Sequence, residues 1–298
     1  MISRRRFAEG SLLAGLVGHL AQAPRRAWAG GRWSERLAAE LAKIEAENGG
    51  RLGVAALDMQ SGARCGHRAD ERFPMCSTFK LLASGAILAR VDARQERLDR
   101  RIQFQASDLV ANSPITKDRA GGEGMALAEL CEAAMTVSDN TAANMLLTVL
   151  AGPAGLTAYA RSLGDAVTRL DRIEPQLNEA IPGDPRDTTS PAAMLSDLQK
   201  LIFGSALSAA GKDQLGRWLL ANKTGDARLR ASLPSGWRVG DKTGSGERGT
   251  TNDVGIIFPP GRMPILIAVY LTETSLADAE RNAILAATGR AATAELDL

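Results

Sequence analysis

The segment NDVGIIFPPGRMPILIAVYL, residues 252–271, decides the fold, because two apolar runs surround a Pro-Pro-Gly turn. Short runs rich in Ile, Val, Leu and aromatic residues between turn residues are typical of buried β-strands. A third strand-like run, WRVGDKT at residues 237–243, comes just before them. The final part of the chain is therefore predicted to supply most of a β-sheet.

The remaining strands of this sheet are predicted near the beginning of the chain. The runs RLGVAALDM (51–59) and SGARCGH (61–67) are separated by turn residues at 60–62, which is the pattern of a β-hairpin. The sheet is thus expected to combine strands from both ends of the sequence.

Helices are predicted before, between and after these strands. The first begins at Ser34, the expected N-cap, and places Leu37, Leu41 and Ile44 on one face. The other helical patterns cover residues 78–90, 126–150, 191–203 and 209–221, and a closing helix at 276–296 follows a start signal at Ser275 and Asp278.

Strands at both ends and helices in the middle favour an α+β fold. We expect an α/β sandwich with an antiparallel sheet built from both termini, plus an inserted all-α domain. Residues 30–68 and 221–298 are assigned to the α/β domain, and residues 69–220 to the all-α domain, which includes the loop Arg172–Asp187. The active site is expected in the cleft between the two domains.

Residues 1–29 have the pattern of a twin-arginine export signal. SRRRFA (3–8) leads into an apolar stretch at 12–23 that is too short and too rich in Gly and Ala to span a membrane, and Ala27–Ala29 resembles a cleavage site. The alternative is a basic amphipathic membrane anchor. Export predicts a periplasmic or secreted protein without a stable membrane anchor after processing, and we expect a monomer.

The net charge argues against nucleic acid as a partner. The whole chain carries 36 basic and 34 acidic side chains, a net charge of +2. Without the five Arg and one Glu of residues 1–29, 31 basic and 33 acidic side chains remain, a net charge of −2. No cluster of Lys and Arg is left to bind a phosphate backbone.

Histidine and cysteine content restricts the possible chemistry. Of the two His, His19 lies in the signal, and His67 follows a strand-like run in a chain without a Gly-x-Ser-x-Gly motif. No Cys-x-x-Cys or His-x-x-x-His spacing is present, so we expect neither a metal nor another cofactor. His67 is predicted to be an edge residue. Cys65, Cys76 and Cys131 do not define a disulfide bridge.

Ser77 and Lys80 are the first candidates for catalysis. In STFK (77–80) they lie three residues apart at the start of a predicted helix, hence on one face. A lysine beside a serine hydroxyl can accept its proton if burial lowers the Lys pKa, and otherwise its ammonium stabilises the developing alkoxide. The alternative is an N-cap Ser followed by an exposed Lys. However, Lys80 is the only charged residue before Arg90 on an otherwise apolar helix, which favours a specific role for it over simple exposure to solvent.

Two further segments carry candidate polar groups. SDN (138–140) lies between two helical runs and can present a hydroxyl and an amide to a cleft, although it also resembles a helix N-cap. Residues 171–189 contain three Pro and little periodicity, which indicates a structured surface loop. Glu174 and Asn178 lie in this loop, and Glu174 taken alone is most simply a solvated residue.

The chain contains two Lys-Thr-Gly sequences with different surroundings. The one at 223–225 follows a helix, so Gly225 is interpreted as the left-handed residue that ends it. The one at 242–244 continues a strand, where Gly244 and Gly246 would let a ligand lie against the backbone. GSGERG (244–249) fits a dinucleotide motif, but the strand-like segment after it excludes that function.

These motifs, in this order, resemble those of the class A serine β-lactamases, whose signature is Ser-x-x-Lys, Ser-Asp-Asn and Lys-Thr-Gly. The resemblance covers nearly the whole chain after residue 29. It comprises STFK at 77, SDNTAAN at 138, RIEPQLNEAIPGDPRDTT from 172 and GDKTGSG at 240. Only the Lys-Thr-Gly at 242–244 has the family's distance from Ser-Asp-Asn.

The resemblance implies hydrolysis of penicillin and cephalosporin antibiotics through an acyl-enzyme on Ser77, and a small-molecule β-lactam as the only partner. It implies proton transfer by Lys80 and Ser138, and activation of the deacylating water by Glu174. The remaining implied roles are substrate binding by Asn140, Asn178, Lys242, Thr243, Ser245 and Arg228, an oxyanion hole from the backbone N–H groups of Ser77 and Ser245, and a loop clamp between Arg172 and Asp187.

Several positions differ from the family's usual pattern. Asn112 stands where many members have an aromatic residue, so one wall of the substrate site is altered. Some members have a disulfide partner at the position of Cys131, but Ser84 stands at the matching helix position, so that bridge cannot form. Cys76 precedes the nucleophile as in some carbapenem-hydrolysing members, but Gly246 stands in place of their second Cys, which argues against that subgroup. Thr251 replaces an Arg that binds the substrate carboxylate, and Arg228 is the predicted substitute.

Two other functions use part of the same constellation. A peptidoglycan D,D-peptidase or a drug-binding sensor would need Ser77, Lys80 and Lys242 but would remain acylated. Neither has a use for Glu174 and Asn178. These two residues therefore favour the hydrolase.

Overall fold

The computed structural model describes residues 31–294, and its main feature is one antiparallel sheet of five strands. The strands are β1 (Arg51–Asp58), β2 (Arg64–His67), β3 (Arg238–Ser245), β4 (Thr251–Phe258) and β5 (Ile265–Thr272), in the order β2-β1-β5-β4-β3. The first long strand pairs with the last one, with Arg51 opposite Thr272. The predicted α+β class and the antiparallel sheet built from both ends of the chain are confirmed.

Eight α-helices lie within the described residues. They are α1 (Arg32–Asn48), α2 (Phe79–Asp92), α3 (Leu127–Thr136), α4 (Asn140–Val149), α5 (Gly152–Ser162), α6 (Pro191–Ile202), α7 (Ala209–Leu220) and α8 (Asp278–Thr293). In this part of the chain, no single helix is both long and apolar enough to cross a membrane.

Two helix starts differ from the prediction. Helix α1 begins at Arg32, before Ser34, because its first turn is held by tertiary contact: the indole of Trp33 donates to the carbonyl of Ala292 at 3.1 Å. Helix α8 begins at Asp278 and not at residue 276, and the Ala277 N–H donates to the Glu280 side chain at 2.8 Å. Its predicted end at residue 296 lies outside the described residues.

The sheet is buried on both faces, because successive side chains of a strand point in opposite directions. On one face, Val54 of β1 and Ile267 of β5 pack with Leu41 of α1 and Leu285 of α8. On the other face, alternate residues of the same strands, such as Ala268, join the apolar residues of the central helices. Burial on both sides explains why these strands read as continuous apolar runs.

Candidate active site

Ser77 lies in a short 3₁₀ turn, Cys76–Thr78, that continues directly into α2. The predicted position of Ser77 at the start of a helix is therefore confirmed. The turn is fixed by the Thr78 hydroxyl, which donates to the Met75 carbonyl at 2.8 Å. Cys76 has a φ of 45°, in the left-handed region that L-residues rarely adopt. Such backbone strain beside a reactive group is typical of functional sites.

Lys80 is fully buried and directed at Ser77. Its Nζ donates to the Ser77 hydroxyl at 2.9 Å, to the Ser138 carbonyl at 2.9 Å and to Asn140 Oδ1 at 2.6 Å. The Ser138 hydroxyl is also within reach, at 3.2 Å. This arrangement excludes the alternative of an exposed Lys after an N-cap Ser.

The Ser-Asp-Asn segment combines both of its predicted features. Ser138, with a φ of 56°, lies between α3 and α4, and Asn140 begins α4. Asp139 is the N-cap of α4, and it accepts a hydrogen bond from the Ala142 N–H at 2.8 Å. The cap holds the segment still, so that the hydroxyl and the amide on either side of it face Lys80.

Glu174 reaches the same point from the loop Arg172–Asp187. The carboxylate is fully buried, accepts from the Ser77 hydroxyl at 3.2 Å and forms an ion pair with Lys80 at 3.0 Å. Asn178 Nδ2 donates to its other oxygen at 2.5 Å. The reading of Glu174 as a solvated loop residue is therefore excluded.

Asn144, to which no sequence pattern assigned a role, holds the backbone of Glu174 in place. Its Nδ2 donates to the Glu174 carbonyl and its Oδ1 accepts from the Glu174 N–H, both at 2.9 Å. Asn144 faces the same side of α4 as Asn140, four residues earlier. That spacing, and its place as the last residue of the SDNTAAN motif, are the signals in the sequence that could have pointed to it.

The two ends of the loop are joined as predicted. Arg172 Nε donates to Asp187 Oδ2 at 2.6 Å. The other carboxylate oxygen of Asp187 accepts from the N–H groups of Asp171 and Arg172, at 2.8 and 2.9 Å. Asp187 is only 1% exposed, so these bonds are shielded from water.

The end of β3 forms the opposite wall of the site. Lys242 is fully buried, and its Nζ donates to the Ser138 hydroxyl at 3.1 Å and to the Thr243 carbonyl at 2.8 Å. Ser245 ends the strand, and Arg228 Nη2 donates to its hydroxyl at 2.7 Å. Arg228 also donates to the Gly244 carbonyl at 2.9 Å. The structure thus places Arg228 beside the residues it is predicted to assist.

The glycines of both Lys-Thr-Gly sequences serve close packing within the protein. The prediction that Gly225 ends α7 in a left-handed conformation is wrong, since its φ lies outside that region. A Cβ at Gly225 would lie 1.8 Å from Asp241 Oδ2, so glycine is required for close approach. At Gly244, the glycine of the second Lys-Thr-Gly, a Cβ would lie 2.8 Å from the Met75 carbonyl oxygen, and at Gly246, two residues later, it would lie 2.6 Å from the Cys76 sulfur. At these positions protein atoms, and not a ligand, take up the space.

Burial changes the proton affinity of both lysines. Burial lowers the pKa of Lys80, although the carboxylate of Glu174 acts in the opposite direction. Burial and the neighbouring Lys80 hold the pKa of Lys242 well below its usual range. The free-energy difference between the charged and the neutral lysine is therefore smaller than it would be in water, which favours Lys80 as a proton acceptor.

Asn112 forms part of the wall where the family usually has an aromatic residue. Its φ is 60°, and its Nδ2 donates to the Ser138 carbonyl at 3.2 Å. A shallow cavity of about 370 Å³ opens beside it, between Leu109 and Lys117. The larger cavity of about 860 Å³ between α1 and α8 contains none of the site residues.

The remaining candidate groups lie outside the catalytic contacts. His67 lies on the edge strand β2, as predicted, and its Nε2 is 2.8 Å from Glu45. Cys65, Cys76 and Cys131 are all buried and unpaired. Within residues 31–294, no group of three or more His, Cys, Asp or Glu side chains is arranged to hold a metal ion.

The site as a whole has the features of a serine hydrolase. A serine hydroxyl contacts a lysine and a carboxylate, and both the neutral amine and the carboxylate can take up a proton. The fold and this site together define a class of enzyme in which Ser, Lys and Glu replace a histidine-based triad.

Comparison with known proteins identifies the family. The family profile described as "Beta-lactamase enzyme family" matches residues 36–296. β-Lactamase AST-1 of Nocardia asteroides is 53% identical over 246 residues, which cover 83% of this chain and 79% of that protein. β-Lactamase L2 of Stenotrophomonas maltophilia is 43% identical over 299 residues and covers 98% of both chains.

Solved structures give the same result. An ancestral class A β-lactamase, GNCA, superposes with a TM-score of 0.84 at 61% identity, covering 86% of this chain and 98% of that one. A putative class A β-lactamase, PenP from Rhodopseudomonas palustris, has a TM-score of 0.84 at 59% identity, covering 86% and 97%. The chain belongs to the β-lactamase enzyme family, and within it to class A.

Proposed function

We propose that the protein hydrolyses β-lactam antibiotics, and thereby gives resistance to them, through an acyl-enzyme on Ser77. One observation carries the proposal: the Ser77 hydroxyl lies 2.9 Å from Lys80 Nζ and 3.2 Å from Glu174 Oε1. The nucleophile therefore has a potential base on each side. One base can serve the formation of the ester and the other its hydrolysis.

In the first step, Ser77 Oγ attacks the lactam carbonyl carbon and the bond from that carbon to the ring nitrogen breaks. The serine proton passes through Lys80 and Ser138 to the ring nitrogen. Lys80 Nζ lies 3.2 Å from the Ser138 hydroxyl, so the relay needs no rearrangement. The backbone N–H groups of Ser77 and Ser245 would stabilise the oxyanion.

In the second step, Glu174 accepts a proton from a water molecule, which attacks the ester carbonyl. The bond to Ser77 Oγ breaks, the serine regains its proton and a carboxylic acid product leaves. Asn178 supports this role, because its Nδ2 orients Glu174 while its buried Oδ1 accepts no hydrogen bond from the described residues. That oxygen can accept one from the attacking water.

Substrate binding follows from the charges on the β3 side. Lys242, Thr243 and Ser245 line this wall, and Arg228 adds a second cation beside Ser245. A carboxylate on the substrate, as penicillins and cephalosporins carry, would be held here by charge-assisted hydrogen bonds. Asn140 would bind the acylamino group, exchanging its contacts with Lys80 and with the Ala111 carbonyl.

The role of Glu174 is tested by trapping the ester. Wild-type enzyme should turn over a chromogenic cephalosporin many times. Glu174→Gln should accumulate an adduct with the mass of one intact β-lactam, visible by mass spectrometry, and Ser77→Ala should show none. Glu132→Gln, an exposed position on α3, is the matched control.

Two outcomes would contradict the proposal. Normal turnover by Glu174→Gln would remove Glu174 as the water base. A burst of one equivalent followed by no further reaction in the wild type would favour a D,D-peptidase or a sensor.

We also propose export by the twin-arginine route to the periplasm or medium, and a monomeric enzyme. The support is the sequence pattern of residues 1–29, which lie outside the described residues. Replacing Arg4, Arg5 and Arg6 with Lys should leave activity inside the cell, measured by fractionation; unchanged export would refute this route. Light scattering of the purified enzyme should give the mass of one chain.

A further inference from the structure

Two buried carboxyl groups lie together at the base of the loop that carries Glu174. Asp197, on α6, is fully buried, and Asp165, between α5 and the loop, is 5% exposed. Within residues 31–294, no N–H or hydroxyl donor reaches either oxygen of Asp197 or Oδ2 of Asp165. Unpaired buried oxygens of this kind are costly and rare, so the pair needs an explanation.

A shared proton explains these unpaired oxygens. Burial, reinforced by the charge of Asp165, raises the pKa of Asp197 to about 9, and a hydrogen bond between the two carboxyl groups requires one of them to be protonated. The proton therefore resides on Asp197 at neutral pH, and Asp165 accepts the hydrogen bond.

Neighbouring charges do not remove the need for this proton. The nearest cations are Lys200 and Arg161, and both are engaged elsewhere: Lys200 donates to the Leu163 carbonyl, and Arg161 donates to the carbonyls of Asp165 and Thr168. The other titratable groups facing the pair are Tyr159 of α5, Tyr270 of β5 and, through Tyr159, Asp92 at the end of α2.

Asp165 connects the pair to the loop. Its Oδ1 accepts from the N–H groups of Val167 and Thr168, at 2.6 and 3.0 Å. The Thr168 hydroxyl then bonds that of Thr189 at 2.6 Å, and the Arg169 N–H donates to the Thr188 carbonyl at 3.0 Å. These bonds close the two ends of the loop against each other.

We propose that the proton shared by Asp165 and Asp197 is a positioning element for the reaction: it keeps the loop ends closed and so keeps Glu174 against Ser77. Only its consequence for deacylation rests on the proposed function. When the proton is lost, two adjacent buried carboxylates repel each other. Asp165 then moves, and the N–H groups of Val167 and Thr168 lose their acceptor.

The pH dependence of unfolding has a defined sign. An unfolded Asp has a pKa of about 3.9, so the folded state binds the proton more tightly. The stabilisation is complete below about pH 4 and is lost progressively as the pH rises to about 9. Between these limits the unfolding equilibrium constant should increase about tenfold per pH unit, relative to a variant without this acid.

Asp197→Asn tests the shared proton, because the amide keeps the shape and donates permanently to Asp165. Unfolding free energies are measured by denaturant titration from pH 5 to 10. The ratio of wild-type to variant unfolding constants should grow about tenfold per pH unit up to about pH 9 and then remain constant. Asp213→Asn, at an exposed position on α7, should parallel the wild type. A constant ratio across the range would overturn the proposal.

Two further measurements test the positioning role. At pH 10, subtilisin should cleave the wild type within residues 169–188 at least threefold faster than Asp197→Asn, independently of the reaction that Glu174 performs. The deacylation rate of the wild type should fall above about pH 9, and that of the variant should persist to higher pH. Asp165→Asn should behave like Asp197→Asn. Equal cleavage, or superimposable deacylation profiles, would show that the pair is only structural and refute the proposal.

Discussion

Asn144→Ala should slow deacylation while leaving acylation nearly unchanged. Asn144 makes two hydrogen bonds of 2.9 Å to the backbone of Glu174 and none to the Ser77 hydroxyl or to Lys80 among the described contacts. The substitution removes both bonds without touching the nucleophile. The N–H and the carbonyl of Glu174 are then left without partners in a buried segment.

The magnitude follows from these two bonds. Each buried backbone group left unpaired costs about 1–3 kcal/mol, so the free energy of unfolding should fall by about 2–6 kcal/mol. If about 2 kcal/mol of this lost stabilisation also raises the activation free energy of deacylation, because Glu174 is held less firmly, deacylation slows about 30-fold. Acylation, carried by Ser77 and Lys80, should change by less than about threefold.

The two steps are separated by stopped-flow measurement of the burst and the steady state, with mass spectrometry of the quenched enzyme. The variant should show a burst and a populated acyl-enzyme. Thr148→Val is the matched control, because Thr148 lies one turn further along α4 and its hydroxyl donates to the Asn144 carbonyl and not to Glu174. Wild-type deacylation in a destabilised Asn144→Ala enzyme would refute the reasoning and reduce Asn144 to a structural residue.

Two other substitutions have defined outcomes. In Gly246→Ala, the new Cβ would lie 2.6 Å from the Cys76 sulfur and 2.8 Å from the Asn178 carbonyl oxygen. The free energy of unfolding, measured by thermal unfolding, should therefore fall by about 1–3 kcal/mol, and deacylation should slow. An unchanged Tm would contradict the close packing. Arg228→Ala removes the bond to the Ser245 hydroxyl and a cation from the substrate wall, so KM for a penicillin should rise at least about tenfold. Arg228→Lys should restore only part of this, since ammonium lacks the fork that contacts the Ser245 hydroxyl and the Gly244 carbonyl together. Equal KM values in all three enzymes would exclude Arg228 from substrate binding.

Local patterns predicted the sheet and the part of the site formed by Ser77 and Lys80. Apolar runs identified the strands, and the helical spacing of Ser77 and Lys80 placed both groups on one face. Lys80 also stood out as an isolated charge on an apolar helix, and the structure buries it completely. These features depend on interactions within a few residues, which a sequence displays directly.

The part of the site formed by Glu174 and its loop depends on contacts between residues that are far apart in the sequence. Glu174 is placed by Asn144, 30 residues away, and its loop is closed through Asp187. Neither contact produces a periodic pattern, so residue chemistry alone left Glu174 as a solvated residue and only the family resemblance located it. Asp197 shows the same limit, because an aspartate within a helix gives no sign that it is buried against a second carboxyl group.

Pairing between β1 and β5 has a consequence for how the molecule is made. Arg51 lies opposite Thr272, and its strand has no other long neighbour in the sheet. A nascent chain leaving the ribosome therefore cannot complete its central sheet until nearly all of its residues have been synthesised. A pause in translation before β5 should therefore leave β1 without its long partner strand for as long as the pause lasts.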